Sequence, residues 1–231
     1  MLEFRSNEQE QMDNLELSGD VLRQTLDGLS TINKYLGNTN ITLKAVKMAL
    51  MNSSSILSII DLGCGGGDNL RTIATWAHQN KIQVKLTGID GNKNIVEYGS
   101  AQNNDAIHID FIQADILSKE FTLPVCDILI SSHFIYHFSD EELVSFLVKS
   151  KERVGIKMIF SELQRSMFAY SLFRLGGKFL PFSKMVKKDG LKAIKRSYKR
   201  RELEHLFKLA GIAKYSIRWK WAFRYLVEVS C

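Results

Sequence analysis

Between residues 56 and 68 the chain reads Ile-Leu-Ser-Ile-Ile-Asp-Leu-Gly-Cys-Gly-Gly-Gly-Asp. A β-branched apolar run ends in an acid, Asp61, and then breaks into glycines at 63, 65, 66 and 67. That order predicts a buried strand, a tight turn and the start of a helix. Glycine tolerates positive φ and lets a ligand approach the backbone, while unpaired N–H groups at a helix start favour a negative group. A dinucleotide loop fits poorly, because Asp68 stands where G-x-G-x-x-G needs its third glycine. A fixed negative charge at Asp61 would also repel a pyrophosphate. It suits a ligand that carries a cationic centre together with a small carboxylate.

Two further apolar runs end in an acid, Thr87-Gly88-Ile89-Asp90 and Gln113-Ala114-Asp115-Ile116. In an open parallel sheet, ligands bind beyond the carboxyl ends of the strands, at the switch in strand order. Three carboxylates on neighbouring strands would line one crevice there. Asp90 suits the paired hydroxyls of a ribose, Asp115 an exocyclic amine, and Ile116 could pack on the ring that bears it. A fourth run exits through Ser131-Ser132-His133-Phe134-Ile135-Tyr136-His137-Phe138. A histidine with a pKa near neutrality can take a proton from a hydroxyl group, and His133 and His137 are the two candidates. Either imidazole can instead pack and satisfy a backbone carbonyl.

The elements that would hold these residues follow from the periodicity. Residues 15–36 predict a helix capped by Ser18 and closed by Gly37, and a second helix covers about Thr42–Met51. From there strands and helices alternate. The strands are Ile56–Asp61, Gln83–Asp90, Ile107–Ala114, Asp127–Ser132 and Lys157–Ser161. Helices fall near Asn69–Gln79 and Asn92–Gln102, and after Ser139, where Asp140, Glu141 and Glu142 suit the helix dipole. This alternation predicts a parallel sheet covered on both faces. After a helix near Arg200–Leu209, residues 212–231 are β-type and too short for a crossover, which predicts an antiparallel hairpin at one sheet edge.

The chain has 231 residues, 45% of them apolar, enough for one buried core. It has no apolar run of about 18 residues, and its first residues lack the apolar core of a signal peptide. Cys64, Cys126 and Cys231 form no metal-type pattern, so no metal is expected and a reduced, cytoplasmic setting is. The net charge is +6. Much of it lies in Lys184–Arg201, opposed only by Asp189. Such a run is either a solvated helix face or a surface for an anionic partner, such as an acidic carrier protein, an anionic membrane or RNA. No separate nucleic-acid module is visible, which argues against RNA.

The D-x-G-x-G-x-G order closely resembles motif I of the class I S-adenosylmethionine (SAM)-dependent methyltransferases, and Asp90 and Asp115 match motifs II and III. SAM has the required sulfonium, ammonium and carboxylate. The resemblance implies a three-layer, Rossmann-like α/β fold. Its seven-stranded sheet would be mostly parallel, with an antiparallel last strand. It implies a cofactor site of Asp61, Gly63, Cys64, Gly65, Gly67, Asp90, Gly91, Asp115, Ile116 and Ser132, with S-adenosylhomocysteine as product. The segment 131–140 is similar to the S-x-x-x-H-H-[FL]-x-D of enzymes that modify quinols and small phenols, with Tyr136 in place of the first histidine. Glu162-Leu163-Gln164-Arg165-Ser166 and Asp189-Gly190, followed by Arg196-Ser197-Tyr198, resemble a bacterial group related to the quinone-biosynthesis (ubiquinone and menaquinone) methyltransferases. So do Met12-Asp13 and Ile32-Asn33-Lys34.

On this reading residues 1–231 form one domain, with an N-terminal helical cap (1–52) and a lid (162–198). The dense apolar stretch Met167–Phe182 would line an aromatic substrate pocket, with Gly176-Gly177 as hinge. Tyr136, Arg165, Tyr170 and Arg196 are the candidate substrate contacts, for a small hydrophobic aromatic, polyketide-like or quinol-like hydroxyl compound. The alternatives are C-methylation of a quinone precursor, RNA methylation, and a SAM-binding protein without turnover.

Overall fold

In the computed structural model, which describes residues 2–51, 55–104, 107–177 and 182–231, two helices lead into an alternating β/α array. They are α1 (Gly19–Tyr35) and α2 (Asn38–Leu50). Next come β1 (Leu57–Leu62), α3 (Asp68–Gln79), β2 (Val84–Asp90), α4 (Lys93–Ser100), β3 (Asp110–Gln113) and β4 (Cys126–Ser132). The second half holds α5 (Asp140–Lys151), β5 (Val154–Leu163), α6 (Met167–Gly176), α7 (Lys184–Arg196), α8 (Arg200–Leu209), β6 (Tyr215–Lys220) and β7 (Arg224–Ser230). The sheet order is β3-β2-β1-β4-β5-β7-β6. The first five strands in that order run parallel, and β7 enters antiparallel between β5 and β6.

The central strands are apolar on both faces, as a doubly covered sheet requires. Ile59, Ile128 and Ile159 point into one core, with Val46 of α2 and Leu70 and Ile73 of α3. Their neighbours Ile60, Leu129 and Phe160 point into the other, with Leu143 of α5 and Phe207 of α8. The period of two along each strand therefore feeds two buried layers at once. Helix α5 starts on a reciprocal cap: Ser139 Oγ accepts from the Glu142 N–H, and Glu142 accepts from the Ser139 N–H. No helix among the described residues is long and apolar enough to cross a membrane.

Three boundaries differ from the sequence expectation. Strand β3 keeps only four residues of the eight expected, because Ile107 pairs back on Asn104 in a local bridge and Ala114 N reaches Asp90 O. Helix α2 starts at Asn38, since Gly37 at φ +75° serves both as the stop of α1 and as the entry to α2. Strand β5 is ten residues long, paired by β4 on one side and β7 on the other. The last strand is thus an inserted one, and β6 rather than β7 forms the edge.

Candidate active site

The order of strands reverses at β1, between β2 and β4, and the glycine turn sits at that switch. Gly63 and Cys64 both donate their N–H to Ile89 O, which ties the turn to β2. Gly63, Gly65 and Gly67 have φ of +62°, +52° and +86°. At Gly63 a Cβ would lie 2.3 Å from the Phe134 ring, so glycine is needed there for space as well as for backbone angle. Asp90 accepts from Gly65 N at 3.0 Å and from Asn92 N at 3.1 Å, clamping the turn to the next strand end. Its carboxyl is raised by burial, against which these N–H groups and the His137 imidazole act.

Asp61 is the anomaly of this region. It is 1% exposed, and neither carboxylate oxygen has a hydrogen-bond partner among the described residues. Burial pushes its carboxyl well above the usual range, with Asp90 and Asp68 adding to the shift. Asn69 partly offsets it, but its Nδ2 is committed to Ser132 Oγ at 3.1 Å. A buried, unpaired carboxylate is costly, and a cationic ligand would satisfy it. Beside it, burial pushes the Cys64 thiol well above its ordinary value. Gly91 packs under Leu15, where a Cβ would lie 2.9 Å from its side chain. Asp115 lies exposed and accepts from Leu117 N at 3.1 Å, while Ile116 is buried in the α5/α8-side core.

The two histidines part company. His133 adopts φ +56°, and its Nε2 accepts from Arg224 Nε at 3.1 Å. Burial and the arginine charge hold its pKa down at about 3, so its free lone pair is already used. His137, at the end of a short 3₁₀ turn (Ile135–His137), meets Asp13 Oδ1 through Nδ1 at 3.2 Å. The second Asp13 oxygen binds Arg196 Nη1 at 2.6 Å, and the same nitrogen lies 3.2 Å from Glu10 Oε1. Burial opposes ionisation of Asp13, but His137 and Arg196 outweigh it and hold its carboxyl near 2. Glu10 rises to about 8, through burial and the Asp13 charge. Donor atoms of Glu10, Asp13 and His137 lie within 4.8 Å of one another, with the Arg196 guanidinium already against both carboxylates.

Tyr136 is buried, its ring 4.5 Å from that of His137 and its hydroxyl 3.5 Å from Glu10. Glu162 accepts from the N–H groups of Phe134 and Ile135 through one oxygen, while the other has no partner among the described residues. Burial raises it to about 8. A cavity of about 540 Å³ opens beside Glu10 and Asp13, bounded by Gln9, Gln11 and Asn14 as well as Leu17, Val21 and Met185.

The remaining candidates are placed elsewhere. Arg165 is a buried strut, not a cavity residue: it binds Glu202, Ser197 O, Leu2 O and Glu3 O. Tyr170 faces α7, with Lys195 Nζ 5.9 Å from its ring. Met167, Phe168, Leu172 and Leu175 point to solvent and do not line the cavity. Phe179 and Leu180 lie outside the described residues, and Gly176-Gly177 close α6 in helical conformation.

Sequence reasoning missed the strap formed by residues 2–17. Arg5 donates to Tyr136 O, Phe138 O, Asp140 and the Tyr198 hydroxyl, and lies 3.8 Å over the Tyr198 ring. Asp189 accepts from the N–H groups of Gln11 and Met12. Two of the nine cations in the basic run are thus matched by strap acids, since Lys195 pairs with Glu8 and Arg196 with Glu10 and Asp13. Only the acids at positions 8, 10 and 13 opposite that run hinted at it.

Residues 59–154 match the model of a methyltransferase domain. No curated protein matches the chain. Among solved structures, a proposed O-methyltransferase of Nostoc punctiforme PCC 73102 shares the fold at 13% identity and a TM-score of 0.62, over 94% of this chain and 63% of that one. The chain therefore spans less than two thirds of that protein's length. The plantazolicin methyltransferase BpumL, solved with a desmethylplantazolicin analogue and S-adenosylhomocysteine, aligns at 15% identity over 91% of this chain and 96% of its own, with a TM-score of 0.62. Human N-acetylserotonin methyltransferase, in complex with SAM, aligns at 14% identity over 89% of this chain and 54% of its own, with a TM-score of 0.61.

Proposed function

We propose that this chain is a SAM-dependent methyltransferase of class I architecture that methylates a hydroxyl of a small hydrophobic aromatic, polyketide-like or quinol-like compound; the methyltransferase-domain match over residues 59–154 and the shared fold support this. The observation that carries the donor half is the unpaired, buried Asp61 carboxylate beneath a glycine turn that Asp90 clamps. When bound, SAM supplies an electrophilic methyl group on a sulfonium centre. Asp61 would meet its positive end, the turn N–H groups its carboxylate, and Asp90 its ribose; Asp115 and Ile116 stand at the next strand end for the adenine.

The acceptor half rests on His137. Asp13 accepts at Nδ1, which favours the tautomer with Nε2 free to take a proton from a phenol-like hydroxyl. The neighbouring cavity joins Leu17, Val21 and Met185 to Gln9, Glu10, Gln11, Asp13 and Asn14, a mixed lining that suits a ring bearing polar substituents. Tyr136 and Arg196 frame the same corner, with Arg196 fixing Asp13. Alignment of hydroxyl, methyl and sulfur contributes much of the rate in such transfers, so His137 assists rather than carries them.

Two measurements test the reading. Calorimetry is expected to show SAM binding that Asp90→Ala largely removes; undiminished binding would remove the site assignment. A panel of phenols and quinol precursors, incubated with methyl-labelled SAM, is expected to yield O-methylated products. Label on carbon instead would move the acceptor to a quinone precursor's ring.

A further inference from the structure

Helix α6 has two unlike faces. Ala169 is buried, and Phe173 meets α7 so closely that a Cβ at Gly190 would lie 2.6 Å from its ring. Met167, Phe168, Leu172 and Leu175 fall on the opposite side, in an arc roughly 140° wide at the helical period. The turn between β6 and β7 extends this patch: the Phe223 ring lies 5.5 Å from Phe168 and 6.3 Å from Trp219. Met167, Phe168, Leu172, Leu175, Trp219 and Trp221 are each between 50% and 67% exposed. Among the described residues nothing covers them. A contiguous apolar patch of this kind marks an interaction site.

The charge around it has one sign. No Asp or Glu occurs between Glu162 and Asp189, nor between Glu204 and Glu228, so both segments that build the patch are free of acids. Arg174 of α6 and Lys220, between the two tryptophans in sequence, border it, and Lys184, Lys187 and Lys188 follow on the adjoining α7. The centre is hydrocarbon and indole, and the cations flank it. One tryptophan at the end of β6 and one in the turn after it, an apolar helix face and flanking lysines match the boundary between lipid tails and anionic headgroups.

We propose that this face docks on an anionic lipid surface, with α6 lying in the interface and Trp219 and Trp221 as its anchors. The patch adjoins the catalytic end of the sheet: Gln164 N donates to Phe223 O, and the next residue, Arg224, holds His133. A bilayer-dissolved acceptor would therefore meet the enzyme at the correct end.

The test uses the full chain without any acceptor, so its failure leaves the methyltransferase reading untouched. Vesicles of equal parts phosphatidylcholine and phosphatidylglycerol are expected to co-sediment the protein and shift tryptophan emission to the blue, whereas phosphatidylcholine alone binds far less. Leu172→Asp and, separately, Trp221→Ser are expected to weaken binding at least about tenfold, with SAM affinity and melting temperature kept. The proposal is overturned if neither vesicle binds, or if both variants bind like the parent. It is equally overturned if the parent is a dimer that Leu172→Asp dissolves, which would give the face to a second copy. Capture of an acidic protein without vesicle binding would overturn it too.

Discussion

The proposed donor side and the proposed acceptor side of this candidate site are built by opposite strategies. Asp61, the glycines and Asp90 come from two adjacent strand ends, fewer than thirty residues apart, and the backbone itself fixes them. The acceptor side draws on Arg5, Glu10, Asp13, His137, Glu162 and Arg196, joined by side chains across most of the chain. The first keeps its charge unpaired and waits for a ligand. The second pairs Asp13, Glu10, His137 and Arg196 with one another, and only Glu162 keeps an unpartnered oxygen there among the described residues. Backbone-built sites tolerate change around them, whereas side-chain-built ones depend on each member.

The largest effect expected is on the acceptor side. Glu162 has a folded pKa of about 8 against an ordinary 4.5, so the folded protein keeps a proton that the unfolded chain gives up. The stability linked to that proton is complete below pH 4.5 and is lost as pH rises through 8. Glu162→Gln keeps the acceptor for Phe134 and Ile135 without the charge. The variant should melt well above the parent at pH 9 and level with it at pH 4; an offset independent of pH would refute the assignment.

Next, Arg196→Met leaves Asp13 and Glu10 without their cation and should cost about 3 kcal/mol in urea unfolding. Its SAM affinity should stay within about twofold, because no donor-side bond runs through Arg196. A collapse of SAM binding would break the division drawn here. Asp61→Ala should do the converse, weakening SAM about 100-fold by calorimetry, or about 2.7 kcal/mol, while the ligand-free protein loses no stability. Smallest of the four, Asp13→Asn should lower kcat for phenol methylation about tenfold with KM for SAM unchanged, and Asp13→Glu should restore part of it. Equal losses in kcat and in SAM affinity would reduce Asp13 to a folding role.

The same division decides what the sequence could reveal. Asp61, Gly63–Gly67 and Asp90 were legible because a strand end, a turn and a helix start are local events with local composition. The helix cap at Ser139 was legible for that reason, as was the hairpin character of residues 212–231, while the reciprocal bond from Glu142 came only with the structure. Arg165 misled because its motif position says nothing of direction. Its guanidinium is drawn to Glu202 and to carbonyls of residues 2 and 3, and no pattern in residues 162–166 announces this. His133 and His137 look alike in sequence; a buried Arg224 neutralises the lone pair of one, and a strap aspartate orients the other. Strand β3 came out short because its apolar residues were read without the local bridge that turns Ile107 back.

The strap has a consequence for how the molecule comes together. Arg5 bonds to Arg196 O, a span of 191 residues, and Ser6 N to Lys195 O. Contacts of that separation pay the entropy of closing the whole chain, and they form slowly. During synthesis the strap precedes α7, yet has little to fold against until α7 has emerged. The glycine turn, by contrast, can settle once β1 and β2 have paired. Assembly would then pass through a stage that holds the proposed methyl-donor site before the proposed acceptor corner exists.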